Sequence, residues 1–172
     1  EEKMSKSLGN FFTIREVLAQ HHPQSLRYLL LSAHYRSPLD YGPDNLRSAR
    51  DALTRAYLAL STVPAPDPGV EMVPDAAVVS AFQAAMDDDF NTPAALGVLF
   101  EAVRALNSSG DSHRRRELAH TLRVLGGVLG ILGEEPELFL RGAADAGLPD
   151  DEINALVAER DAARAARNYA RA

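Results

Sequence analysis

Apolar positions recur at helical spacing along most of the chain, and where they stop the sequence turns to proline, glycine and short polar residues. Thr13-Ile14-Arg15-Glu16 is a capping-box pattern that predicts a short helix over about 14–20, with Asn10 to Phe12 extended before it. Pro23 in a first turn, followed by Leu26, Leu29, Leu30 and Ala33 on one face, predicts a second helix over about 23–33. Pro38-Leu39-Asp40-Tyr41 reads as a short extended stretch able to pair with residues near Phe11. A two-stranded scrap of this kind is the most β structure expected. Pro43 opens a longer helix over about 43–61, whose Leu46, Leu53, Tyr57 and Leu60 fall within a narrow arc.

Between Val63 and Pro74, four prolines and a glycine break the periodicity and mark a linker. Beyond it, helical patterns recur at about 75–87, 92–107, 112–132 and 149–171. Val78, Val79, Phe82 and Met86 line the first of these, and Leu96, Leu99, Phe100, Val103 and Leu106 the second. Leu118, Leu122, Leu125, Leu129 and Leu132 alternate steps of four and three, the seam of antiparallel packing, with Gly126, Gly127 and Gly130 permitting close helix approach. The expected fold class is therefore mainly α: a small helical unit over 11–62, a linker over 63–74, and an antiparallel helical bundle over 75–172.

Charge changes this picture at one end. The formal net charge of −6 argues against a polyanionic partner for the chain as a whole. Yet residues 1–60 hold eight Lys/Arg against six Asp/Glu, a balance of +2, whereas residues 61–172 hold ten against eighteen, a balance of −8. Only two of the eighteen basic residues are lysines, Lys3 and Lys6. With no cysteine, the chain can form neither a disulfide nor a thiolate metal site. No apolar run is long enough to span a bilayer, and Glu1-Glu2-Lys3 lacks the features of a signal peptide. A cytoplasmic location, no membrane partner and a monomeric state are the resulting expectations.

Lys3-Met4-Ser5-Lys6-Ser7-Leu8-Gly9-Asn10 places two ammonium groups in a short polar stretch closed by a glycine. Such a loop can bend around a triphosphate, and compact lysine charges can follow negative charge onto a departing pyrophosphate. It is not a P-loop, since no G-x-x-x-x-G precedes a Lys-Ser pair. Composition alone equally allows an ordinary charged terminus.

The same eight residues resemble the second signature of class I aminoacyl-tRNA synthetases. Asn10 to Leu18, Leu26 to Leu39, Asn45-Leu46-Arg47 and Met86 to Pro93 continue the likeness in order, as in the cysteinyl-tRNA synthetases. This resemblance implies activation of cysteine by ATP, with Mg, and transfer to tRNA(Cys). It assigns ATP phosphate to Lys6, with Lys3 assisting, and loop shape and backbone contacts to Met4, Ser5 and Ser7. It also implies a stem-contact fold over 11–62 and a DALR-type domain from 75 onward. The family's adenine-binding histidine motif, zinc-coordinating cysteines and cysteine pocket precede the lysine loop and are not in this chain. The resemblance thus implies a C-terminal fragment that does not aminoacylate by itself and whose zinc is bound elsewhere. Two alternatives stay open: the related ligase that joins cysteine to an amino sugar in mycothiol synthesis, and a free-standing helical RNA-binding module.

Candidate tRNA contacts are Arg36, Arg47, Arg114, Arg115, Arg160 and Arg164. Each has a plainer reading. His34, Tyr35 and Arg36 suit corner packing as well as a phosphate. Asp87, Asp88 and Asp89 look like a metal cluster but fall where Asp89 or Asn91 can cap the next helix. Arg114 to Arg116 open a helix at its positive end, where an anionic partner or local carboxylates such as Asp111 and Glu117 would serve. The Arg160 to Arg171 stripe is flanked by Glu159 and Asp161 and suits a solvated face.

Overall fold

The computed structural model describes residues 13–64, 72–141 and 150–165. Helices α1 (Ile14–Leu18), α2 (Pro23–Leu31) and α3 (Pro43–Ser61) precede the proline-rich segment; α4 (Ala76–Asp87), α5 (Thr92–Ser108), α6 (Ser112–Val128), α7 (Pro136–Arg141) and α8 (Asp150–Ala165) follow it. Among the described residues there is no strand, and residues 38–41 carry no regular secondary structure. Phe11, their expected partner, lies outside the described residues. The chain is mainly α, with residues 143–172, and so α8, forming a unit separate from residues 1–142.

Local chemistry starts the helices where the patterns place them. The Thr13 hydroxyl accepts from Glu16 N at 3.2 Å while Glu16 Oε2 accepts from Thr13 N at 2.7 Å, a complete capping box. Asp75 caps α4, accepting from Val78 N at 2.7 Å. That bond, aided by the Arg114 guanidinium, holds the Asp75 carboxyl below the ordinary carboxylate range.

The core of the first unit does not divide at the linker. Val17, Leu26, Leu29, Leu46 and Ala49 form one cluster, whereas Leu53, Tyr57 and Leu60 belong to the same cluster as Phe82, Leu99, Leu106, Leu118 and Leu122. The reason is length. At 1.5 Å per residue α3 runs about 28 Å and α2 only about 13 Å, so the second half of the α3 stripe must be covered by the bundle. Leu30, expected inward, is 52% exposed, and Tyr28 packs in its place, edge-on to Phe100 at 6.0 Å.

The largest departure from the sequence pattern is at the end of α6. The leucine seam predicts helix to 132, yet α6 stops at Val128. Gly130 takes φ +68°, its N–H donates to Gly127 O at 3.0 Å, and Ile131 N donates to Gly126 O at 2.8 Å, which together make a Schellman end. Gly126 permits close approach, but of the chain's own return: a Cβ there would lie 2.9 Å from Ile131 O and from Leu132 Cβ. Gly127 has nothing within 4 Å of such an atom. Leu129, Ile131 and Leu132 are still buried, delivered by a turn rather than a helix face.

That turn is held from α2 and α3. Gln24 Oε1, buried, accepts from Tyr57 Oη and from Leu132 N, each at 2.9 Å, and Arg27 Nη1 donates to Gly130 O at 2.7 Å. It leads into α7, which the periodicity does not predict.

Candidate functional site

Lys3, Met4, Ser5, Lys6 and Ser7 lie outside the described residues. Among the described residues, the candidate chemistry converges at the corner after α2. Ser32 ends that helix, its hydroxyl donating to Leu29 O at 2.7 Å, and Ser37 N donates to His34 O at 2.7 Å, so residues 34–37 turn tightly. His34 Nδ1 accepts from Arg36 N at 3.3 Å, which leaves Nε2–H to donate to Asp89 O at 3.1 Å. Tyr35 Oη donates to Asp89 Oδ1 at 2.7 Å and accepts from Arg36 Nε at 2.9 Å. The first of these bonds pushes the Tyr35 phenol above its usual pKa. Arg36 Nε also lies 3.3 Å from Asp89 Oδ2.

The receiving turn between α4 and α5 is strained. Asp89 and Phe90 have φ of 52° and 53°, consecutive left-handed residues without a glycine. Each such residue costs on the order of 1–2 kcal/mol, least for Asp. Phe90 N and Asn91 N turn back onto Met86 O and Ala85 O, and Thr92 Oγ1 donates to Leu31 O at 2.8 Å, tying the start of α5 to the end of α2. Asn91, not Asp89, caps α5, accepting from Ala94 N at 3.2 Å. Asp88 accepts from Asn91 Nδ2. The three aspartates thus do not act as a cluster; one of them is the anchor of the corner.

The corner's outer face is chemically distinctive. Tyr35 is 62% exposed, Phe90 66%, and the Arg36 side chain 68%, with its guanidinium carbon 5.3 Å from the Tyr35 ring centre. A cation beside an open aromatic ring can meet a phosphate and stack on a base. Asp89→Ala is expected to lower stability by about 1 kcal/mol, because it takes an acceptor from the exposed Tyr35 and Arg36 side chains and puts a residue of lower left-handed tolerance at the turn. Asp89→Asn, which tolerates that backbone and keeps an acceptor, is expected to stay close to the parent protein in urea unfolding; equal losses for both would deny Asp89 this role.

The other arginines divide sharply. Arg47 pairs with Asp44 at 3.2 Å in open solvent. Arg114 is bonded to the buried Asp75 and to Glu117, the latter at 2.7 Å, so protein carboxylates complement the positive end of α6. Arg115 Nη2 donates to Thr62 Oγ1 at 2.6 Å, while its Nε is buried without a partner. On α8, Arg160 pairs with its neighbour Asp161 at 2.8 Å and Arg164 is exposed. Sequence reasoning named the corner residues but missed Asp89 as their acceptor and Phe90 as an outward ring. An aspartate run before a helix cap, where left-handed backbone is tolerated, was the available signal.

Comparison with known proteins separates the rival readings. The family model for the class I (C) tRNA synthetase catalytic domain matches residues 1–51, and that for the DALR domain matches residues 81–133. A cysteine–tRNA ligase from Azotobacter vinelandii is 53% identical over 173 aligned positions, covering 98% of this chain and 36% of that protein. One from Alkalilimnicola ehrlichii is 52% identical, covering 100% of this chain and 37% of that protein. The chain is similar to cysteine–tRNA ligases over nearly its whole length. It spans a little over a third of the length of these ligases. Placed on the family's two matched regions, the corner acquires a meaning. His34, Tyr35 and Arg36 fall in the stretch that matches the synthetase catalytic domain, and Asp89 falls in the DALR stretch. The Asp89 anchor therefore joins the two matched regions.

Proposed function

We propose that this chain is the part of a cysteine–tRNA ligase that carries the ATP-phosphate loop and the tRNA-facing helices. The complete protein activates L-cysteine with ATP and Mg, then transfers it to the terminal adenosine of tRNA(Cys). Residues 1–10 are the catalytic loop, with Lys6 on ATP phosphate, Lys3 assisting, and Met4, Ser5 and Ser7 shaping it. Residues 11–62 serve as the stem-contact region and 75–172 as the helical tRNA-binding region, linked by 63–74, with α3 sharing one core with α4 to α7. Arg36 is the first candidate for tRNA among the predicted arginines. Arg47, Arg160 and Arg164 follow it, whereas Arg114 and Arg115 contribute only through donors not already used inside the fold.

What supports this reading is identity above 50% to cysteine–tRNA ligases over almost every residue of the chain. The chain has no cysteine, and among the described residues no group of three His, Asp or Glu is placed to hold a metal. We place the family's zinc outside the chain. No helix of the described residues is long and apolar enough to cross a membrane. A monomer in the cytoplasm is the setting we propose.

The test is cysteine-dependent ATP–pyrophosphate exchange and tRNA charging. The complete protein is expected to do both, and the 172-residue chain neither. Charging of an amino sugar with tRNA left uncharged would overturn the assignment, and exchange by the isolated chain would overturn its inactivity.

A further inference from the structure

Two adjoining hollows lie between the end of α3, one face of α6 and the segment leading into α7. The smaller, about 190 Å³, is lined by Val63 and Pro64 on one side and by Arg116, His120, Arg123 and Glu135 on the other. The larger, about 520 Å³, shares Arg123 and Glu135 and extends past Pro136 and Leu138 to Glu137 and Arg141. Arg116, His120 and Arg123 stand at i, i+4 and i+7, so they form one stripe of α6, about 10 Å long from first to last.

The stripe is free where its neighbours are not. Arg114 and Arg115 are turned to Asp75, Glu117 and Thr62. Arg116, His120 and Arg123 have no hydrogen bond or ion pair among the described residues, although Arg123 is half-buried. None of the Arg123 side-chain nitrogens is buried without a partner, so they stay open to a ligand in the cleft. Glu135, in the same hollows, makes no ion pair within 4.0 Å with either arginine. The cleft therefore offers cationic donors and, beside them, a carboxylate acceptor.

We infer that this cleft takes the backbone of RNA, with phosphates on Arg116 and Arg123 and a ribose hydroxyl donating to Glu135. Arginines alone would accept any phosphate. A carboxylate among them repels a bare phosphate but gains a hydrogen bond from a 2′-hydroxyl, which DNA lacks. A stripe about 10 Å long can reach more than one phosphate of a strand. The apolar floor of Pro64, Pro136 and Leu138 suits a sugar face. The inference rests on the tRNA partnership proposed above and gives it a place on the chain.

The test uses the 172-residue chain and a fluorescein-labelled RNA hairpin, with a DNA hairpin of the same sequence and inorganic pyrophosphate as competitors. RNA is expected to compete better than DNA, and pyrophosphate poorly. Arg116→Ala and Arg123→Ala are each expected to weaken RNA binding about tenfold and to lower the salt slope by about 1. Arg123→Lys should retain most of the slope, which separates lost charge from lost folding. Glu135→Ala should erase the preference for RNA over DNA. Arg104→Ala, whose arginine pairs with Glu101 on α5, should change nothing. Parent-like affinity and slope in the Arg116→Ala, Arg123→Ala double variant would overturn the cleft while leaving the tRNA partnership intact. DNA binding equal to RNA binding would overturn the ribose contact. No RNA binding by the parent chain at low salt would overturn both the cleft and the partnership.

Discussion

Lys6→Ala in the complete ligase is expected to slow cysteinyl-adenylate formation by about 2–4 kcal/mol of barrier, roughly 30- to 1,000-fold, the range for losing one oriented charge-stabilising donor. Attack on the α-phosphorus moves negative charge onto the leaving pyrophosphate, and an ammonium group that closes on it acts in the transition state more than in the ground state. The loss should therefore fall on the rate of exchange at saturating ATP, with a smaller change in the ATP concentration for half-maximal rate. Lys3→Ala should follow in the same direction with a smaller effect, given the assisting role proposed for Lys3. Lys6→Arg should recover little: arginine is a planar fork, whereas this task needs a compact mobile charge. Pre-steady-state adenylate formation is the measurement, and an unchanged rate in Lys6→Ala would refute the assignment.

Phe139→Ala is expected to cost about 3–5 kcal/mol of folding stability, at the upper end for a single core truncation. Phe139 is fully buried and stacks on Tyr57 at 4.1 Å and 18°. The His22 ring meets it edge-on at 4.8 Å, and the Arg50 guanidinium covers it at 4.5 Å. Arg50 Nη2 also donates to its carbonyl at 2.9 Å. With six residues, α7 cannot hold a helix by itself, so this one ring anchors the whole segment to α3. Tyr57 loses a neighbour too, and with it the network through Gln24 and Glu134 N that closes the end of α6. Phe139→Leu keeps most of the volume and should lose about half as much. A loss below about 1 kcal/mol in urea unfolding of Phe139→Ala would show that α7 is an appendage rather than part of the core.

Both effects bear on how the chain was read. The lysine loop could be proposed from sequence because the chemistry proposed for it lies in five consecutive residues. Helix starts were legible for the same reason. Thr13 with Glu16, Asn91 before Thr92-Pro93, and Pro43 each act within a turn of the helix that they begin. Buried stripes on α3, α5 and α6 followed from spacing alone, since a helix presents every third or fourth residue to one side. Leu30 was misplaced because α2 has apolar residues around much of its circumference, so spacing could not choose between them.

What the sequence by itself determined was local: a mainly helical chain, the family signature, the helix N-termini and the inward faces. Tertiary structure alone decided the pairings across long separations. Asp89 finds Tyr35 across 54 residues, Arg27 finds Gly130 across 103, and Gln24 finds Leu132 across 108. Nothing in the immediate neighbourhood of those residues names the partner. The same long-range contacts ended α6 at Val128 against its own leucine seam, because Gln24, Arg27 and Tyr57 satisfy the returning chain better than further helix would. They also sorted the arginine run, turning Arg114 and Arg115 inward and leaving Arg116 to the cleft. Charge type is written in the sequence, but whether a charge is already satisfied depends on which carboxylate the fold brings within reach.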